Sequence, residues 1–287
     1  TGGQFYAGLG RPDLSVDQRP DDGCSLVFDG GPGEEPLELL GAPAVELEIA
    51  ADRPQANIAV RLCHVAPDGT SHRISVGVLN LTHRESHETP AALESGERYR
   101  VRVQLDDIGY LVPAGHRLRV GISTDYWPMI WPAAQPVTLT VFAGRSRLEL
   151  PVRRAAGQPN VAIRPTDTAE LTGFTLLREG QSERQVCHDA ISGDTVIEHH
   201  DDSGLKRFEP HGLESGLRSR VTYAIGRADP LSARTTTHWV AEVGRGDWRV
   251  TTESSSSLRA DQEAFYLEAE LVAYEGEAEV FRHSWTR

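Results

Sequence analysis

The sequence predicts an all-β fold: a sandwich of short antiparallel strands, followed by a second antiparallel β-rich segment. Three observations predict it. Apolar residues recur at every second position in one segment after another. Turn-forming pairs such as Asp68-Gly69, Ser95-Gly96 and Gly144-Arg145 fall between those segments. No stretch carries a sustained 3.6-residue apolar stripe, so helices should be few.

The first alternating segment sets Val45, Leu47 and Ile49 against Glu46 and Glu48. Ile58, Val60 and Leu62 follow, then Ile74, Val76 and Val78. The clearest is Arg98–Leu105, where Tyr99, Val101, Val103 and Leu105 oppose Arg98, Arg100, Arg102 and Gln104. Val137, Leu139 and Val141 come next, and Leu148, Leu150 and Val152 make a last short strand. Alternation implies strands with one face on the core and the other in water.

Four stretches result. Residues 1–35, rich in Gly, Pro and Asp, read as an irregular lead-in covering a sheet edge. Residues 36–153 form the sandwich, and the aperiodic run over 154–165 reads as a linker. Residues 166–287 form a meander, either a small open barrel or a sheet packed on the first domain. Its expected strands are 194–200, 218–225, 235–243, 248–252, 265–274 and 279–285. Asp229–Ala233 and Gly244–Trp248 read as turns flanking one of them.

The most informative stretch is Pro113–Pro132. A Pro/Gly turn leads into a strand with Leu118, Val120 and Ile122 on one face and Arg117, Arg119 and Gly121 on the other. The strand ends in a loop with Asp125, Tyr126, Trp127 and Trp131, braced by Pro128 and Pro132, which lack the amide a central ladder needs. Aromatic residues on such a loop suit either the surface of a neighbouring domain or, folded back, the core end of their own sandwich, with a free ligand a lesser reading; these four are the binding candidates. Arg84 joins them, because its planar fork suits bridging strand ends or domains.

Composition narrows the function. With 29 basic against 42 acidic residues the net charge is −13, which argues against nucleic acid as a partner. No apolar run is long enough to span a membrane. Three widely spaced cysteines, Cys24, Cys63 and Cys187, fit a reduced, cytoplasmic protein better than a disulfide framework. The chain starts at Thr1 rather than Met and so reads as a fragment or processed product.

No catalytic residue emerges. There is no G-x-S-x-G, P-loop, G-x-G-x-x-G or H-E-x-x-H. His199 and His200 point to opposite faces of a strand and do not suit one ion. His64, His72, His83 and His87 are close in sequence but have no activated nucleophile beside them, and His116 reads as a turn histidine. No metal and no cofactor is expected. The Arg-Gly-Asp in Gly244–Trp248 reads as a hairpin turn rather than an adhesion motif.

Several runs taken together resemble the C-terminal domain of the cocaine-esterase/X-Pro dipeptidyl-peptidase group of serine hydrolases (the CocE/NonD type). They are Gly41–Leu47 with Ala51-Asp52, Val60–Gly69, Ile74–Arg84, Pro90, Gly96–Tyr99, and Ala114–Ser123 with Trp127-Pro128. Asp229–Ala233 and Gly244–Trp248 are similar to an extension found in longer members. The resemblance implies a jelly-roll sandwich of the galactose-binding-like type, appended to an α/β-hydrolase domain that carries a Ser–His–Asp triad. This chain lacks the elbow, and too little sequence precedes Val45 for a hydrolase core. The resemblance therefore implies a non-catalytic part whose partner is the α/β-hydrolase domain, with self-association as a further expectation. A free-standing carbohydrate- or ligand-binding sandwich module is the alternative.

Overall fold

A computed structural model describes residues 17–153 and 172–287, and the expected linker at 154–165 lies outside them. The chain divides into two compact units, Thr1–Gln158 and Pro159–Arg287. Strand is the dominant structure of the described chain and helix is sparse, as alternation and frequent turn residues dictate.

The first unit opens with a single helical turn, α1 (Arg19–Asp22), and ten strands follow. These are β1 (Leu26–Asp29), β2 (Leu37–Gly41), β3 (Ala44–Ala51), β4 (Asn57–Val65), β5 (Ser71–Asn80), β6 (Tyr99–Gln104), β7 (Ile108–Val112), β8 (Arg117–Ser123), β9 (Leu139–Val141) and β10 (Arg147–Glu149). One sheet has the order β1-β8-β4-β5. The second has the order β10-β3-β6, with β9 on the far end of β3, and β2 pairs with β7 as a ribbon. All pairs are antiparallel. The sheets close over one core of Val45, Leu47 and Ile49 from β3, Ile58, Val60 and Leu62 from β4, Val101 and Val103 from β6, and Val120 and Ile122 from β8. This is a jelly-roll sandwich, and the pattern of alternate apolar residues specifies its core.

Three features depart from the sequence-based expectation. The lead-in is not irregular throughout: Leu26–Asp29 pairs residue for residue with Ile122–Arg119, so it supplies the edge strand of the first sheet. Nor do β3 and β4 show one face to water. Their residues are almost all buried, because α1 and the 124–132 loop cover the outer face of β4. Glu48 is buried on β3 and pairs with Arg98 at 3.0 Å.

Close approach explains one glycine. A Cβ on Gly77 would lie 2.4 Å from the backbone oxygen of Gln104. Gly77→Ala is expected to cost about 1–3 kcal/mol through the backbone shift it forces, measured by urea unfolding.

The second unit has eight strands: β11 (Phe174–Arg178), β12 (Gln181–His188), β13 (Thr195–Phe208), β14 (Leu213–Gly226), β15 (Asp229–Arg245), β16 (Trp248–Ala260), β17 (Phe265–Glu275) and β18 (Ala278–Thr286). From β13 onward they form a meander in chain order, and β11 and β12 share the outer side of β13. The sheet is open, with β18 paired only to β17 among the described residues.

Here too the boundaries differ. The strands outrun their alternating cores, since polar Ser and Thr positions in β16 join the ladder. Asp229–Ala233 is not a turn. Gly226 pairs with Asp229, the turn is Arg227-Ala228, and Pro230 sits at the start of β15, where a missing amide is tolerated. Gly246-Asp247 is the turn of the β15–β16 hairpin, with Gly246 at φ +58°. His199 and His200 lie within β13 rather than at a strand end. No helix among the described residues is long and apolar enough to cross a membrane.

Candidate functional site

The outer face of the β1-β8-β4-β5 sheet carries the densest chemistry of the first unit. Its register places Arg61 opposite Gly121, and Arg119 opposite both Cys63 and Asp29. Gly121 has no side chain, and the Arg61 guanidinium occupies that space: a Cβ there would meet its Nη2 at 3.1 Å. Arg61 is only 1% exposed, so its charge needs a counter-ion delivered inside the protein.

The lead-in delivers it. Asp22, 6% exposed at the end of α1, holds Arg61 Nη2 at 3.1 Å through one oxygen and accepts from Arg119 Nη1 at 2.9 Å through the other. Arg61 also donates to Gln18 Oε1 at 3.3 Å and Ser25 Oγ at 3.0 Å. Asp29 takes the remaining fork of Arg119 at 2.6 and 2.8 Å, a bidentate contact. Those hydrogen bonds lower the pKa of Asp29 and raise that of Arg119. Burial pushes the Cys63 thiol beside them up to about 11, so it stays protonated at neutral pH.

The aromatic loop folds down onto the same face. Tyr126 and Trp127 are each 2% exposed. Tyr126 packs with Ala59, Val76, Met129 and Ile130, its ring lies 6.0 Å from the Arg61 guanidinium carbon, and its hydroxyl accepts from Arg73 Nη1. Burial raises the Tyr126 pKa, so the phenol keeps its proton. The rings of Trp127 and Trp131 meet edge to face, 5.2 Å apart at 80°. The Trp131 carbonyl accepts from Asn57 Nδ2 at 3.1 Å. Asp125 is exposed, and its carbonyl accepts from the Ser123 hydroxyl. A cleft of about 310 Å3 opens here, lined by Asp21, Ser25, Arg61, Thr124, Asp125 and Tyr126 among others.

This geometry sorts the sequence candidates. Asp125, Tyr126, Trp127 and Trp131 do share one place, but two of them are interior groups of the chain itself. A sugar platform needs open, coplanar rings, and a buried Trp127 perpendicular to Trp131 does not make one. Arg84 is elsewhere. Its guanidinium donates to the carbonyls of Leu81 and Ala91 at 3.1 and 2.6 Å and lies 4.3 Å from the Tyr99 ring, bracing its own loop. Pattern reading did not find the charge cluster of Arg61, Asp22, Asp29 and Arg119. The only signal for them was an arginine inside an otherwise apolar run, Val60-Arg61-Leu62.

The histidines of the first unit fall into two separate groups. His64 lies 5.0 Å from both His72 and His116, with Nδ1 2.7 Å from the Tyr110 hydroxyl, and burial lowers its pKa. His83 and His87 pair separately at 5.4 Å. Among the described residues no group of His, Cys, Asp and Glu has the geometry to hold a metal ion. The Ser255–His238 and Thr195–His188 contacts, at 3.0 and 2.9 Å, run through Nδ1, the nitrogen that a catalytic triad gives to its carboxylate rather than to its hydroxyl.

A family model for the X-Pro dipeptidyl-peptidase C-terminal non-catalytic domain matches residues 4–172. The chain belongs to this family. The match takes in the whole sandwich, and a non-catalytic domain is in keeping with a face built of charge pairs and packed aromatics.

Cocaine esterase from Rhodococcus sp. (strain MB1 Bresler) is 26% identical over 126 residues, covering 43% of this chain and 21% of the esterase. Among solved structures, an α-amino acid ester hydrolase is 26% identical with a TM-score of 0.47, covering 50% of this chain and 28% of that one. A CocE/NonD family hydrolase from Staphylococcus aureus is 17% identical with a TM-score of 0.39, covering 45% and 30% respectively. The family domain here thus matches between about a fifth and a third of each relative.

Proposed function

We propose that this chain is the non-catalytic β portion of a CocE/NonD-type serine hydrolase. Its sandwich would pack against an α/β-hydrolase domain and shape the approach to an active site that cleaves acyl esters or X-Pro peptides. The observation that carries this reading is the match of residues 4–172 to a non-catalytic C-terminal domain. The missing nucleophile elbow supports it. So does the small share of each relative that the match occupies, which leaves ample length there for a catalytic domain.

The docking side we assign is the β1 edge. Leu26, Val27 and Phe28 are exposed there in sequence, an unusual run for a free surface strand. Of the four aromatic-loop candidates, Asp125 is exposed and Trp131 half-buried, so these two remain within a partner's reach. A cytoplasmic setting is part of the same reading, supported by three free thiols.

The experiment is a titration of the chain into a separately expressed hydrolase domain of the same protein. A one-to-one complex is expected, and the double substitution Leu26→Asp, Phe28→Asp should weaken it at least ~10-fold. The purified chain alone should not turn over p-nitrophenyl acyl esters. Turnover that survives purification, or a double variant that binds unchanged, rejects the reading.

A further inference from the structure

The second unit ends in a strand whose outer side has no neighbour among the described residues. All nine residues of β18 are exposed. Leu267 and Arg287 exchange both backbone hydrogen bonds at 2.9 Å, which sets the phase of the β17–β18 ladder. His283 and Trp285 therefore turn their amides inward to Leu271 and Ala269, while Arg282, Ser284 and Thr286 turn theirs outward. The sheet face on the Trp285 side is apolar: Phe281, 49% exposed, and Trp285, 42% exposed, flank His283 along the edge.

Edge strands are normally guarded by lysine, proline or an unneutralised charge. β18 has no lysine and no proline. Its central charge, Arg282, is already held by Glu270 and Glu279 at 2.8 Å. The strand is open, apolar on one face and electrically quiet.

We propose that β18 is a dimerisation edge, pairing antiparallel with β18 of a second copy of this chain about a twofold axis at His283. The strand's own sequence selects this partner and this register. Backbone phase requires outward residues to meet outward residues, and a centre at His283 sets Arg282 against Ser284 in both directions. The same register places Phe281 opposite Trp285 twice, at positions without cross-strand hydrogen bonds, where side chains come closest. Beyond the irregular step at Val280, Glu279 falls toward Arg287 of the other copy, so opposite charges meet at both ends. Centring on Arg282 instead would oppose two arginines. Centring on Ser284 would spend Phe281 against Arg287. The pairing joins two eight-stranded sheets into one continuous sheet.

Sedimentation equilibrium of the full chain over a concentration series tests this, without any hydrolase domain, so its outcome is separate from that of the docking titration. A monomer–dimer equilibrium is expected. Ser284→Pro removes an outward amide and leaves the inner ladder whole, and should weaken the dimer more than ~10-fold. Ser284→Ala keeps the amide, loses only the hydroxyl's 3.2 Å bond to Glu270, and should leave the dimer intact.

A thiol test reads the register. With Cys24 and Cys187 changed to Ser, His283→Cys should oxidise to a disulfide-linked dimer, since its Cα would face its own copy at about 4.5 Å. Ser284→Cys should not. A chain that stays monomeric at every concentration, as when another protein's segment covers this edge, overturns the proposal. So does a dimer that Ser284→Pro leaves unchanged, or one that cross-links through Ser284→Cys and not through His283→Cys.

Discussion

Asp22→Ala is expected to destabilise the first unit by about 3–5 kcal/mol, because it strands the Arg61 charge in the interior. The loss should appear as a lower urea midpoint with little change in slope. Added salt should rescue little of it, since a pair this deep is poorly screened. The contrast is Arg98→Ala, whose partner Glu48 is buried but whose own side chain is 57% exposed. Solvent screens that pair, and a loss near 1 kcal/mol or less is expected.

Acid should act in the same direction as Asp22→Ala. Asp29 has a lowered pKa through its bonds to Arg119. Its contribution is full above the ordinary carboxylate pKa and fades as pH falls through the lowered one. An Asp22→Ala variant as stable as the parent would mean that Arg61 reaches water, contrary to its burial.

The second large effect is expected at Trp127. Truncation to Ala removes a side chain that is 2% exposed and packed edge to face on Trp131, at a cost of about 3–5 kcal/mol. Trp131→Ala, starting from a half-buried ring, should cost clearly less. The difference between the two midpoints checks the burial directly. It also governs how binding data are read. A Trp127→Ala chain that fails to dock has lost its fold first, so the docking surface is better tested at Leu26 and Phe28.

Local physics made much of the fold legible. The Tyr99–Leu105 alternation marks β6 because a sheet with one apolar face imposes period two, and the Gly246-Asp247 hairpin shows in its turn residues. What stayed hidden depends on distant partners. Arg61 reads as a water-facing residue until Asp22, far away in the chain, is placed against it. Tyr126 and Trp127 read equally well as a presented surface or as a cover on their own core, because sequence marks a loop without saying which way it folds. β11 and β12 escaped notice because their side chains are almost all exposed, leaving no apolar period to read. The resemblance to the hydrolase group rested on the sandwich strands, and there the family match agrees with it.

The bond lines from Arg119 run 90 residues back to Asp29 and 97 back to Asp22. A ribosome emits the two acids long before the two bases that they neutralise are complete as a set. The first sheet therefore cannot settle its electrostatics until Arg119 has emerged, whatever the nearer strands have done. A chain cut short of β8, or one trimmed to begin at the sandwich's apolar pattern near residue 36, keeps part of the set and loses the rest. In this fold a copy that lacks either end of the charge network is left with interior charge that nothing cancels, and its stability falls accordingly.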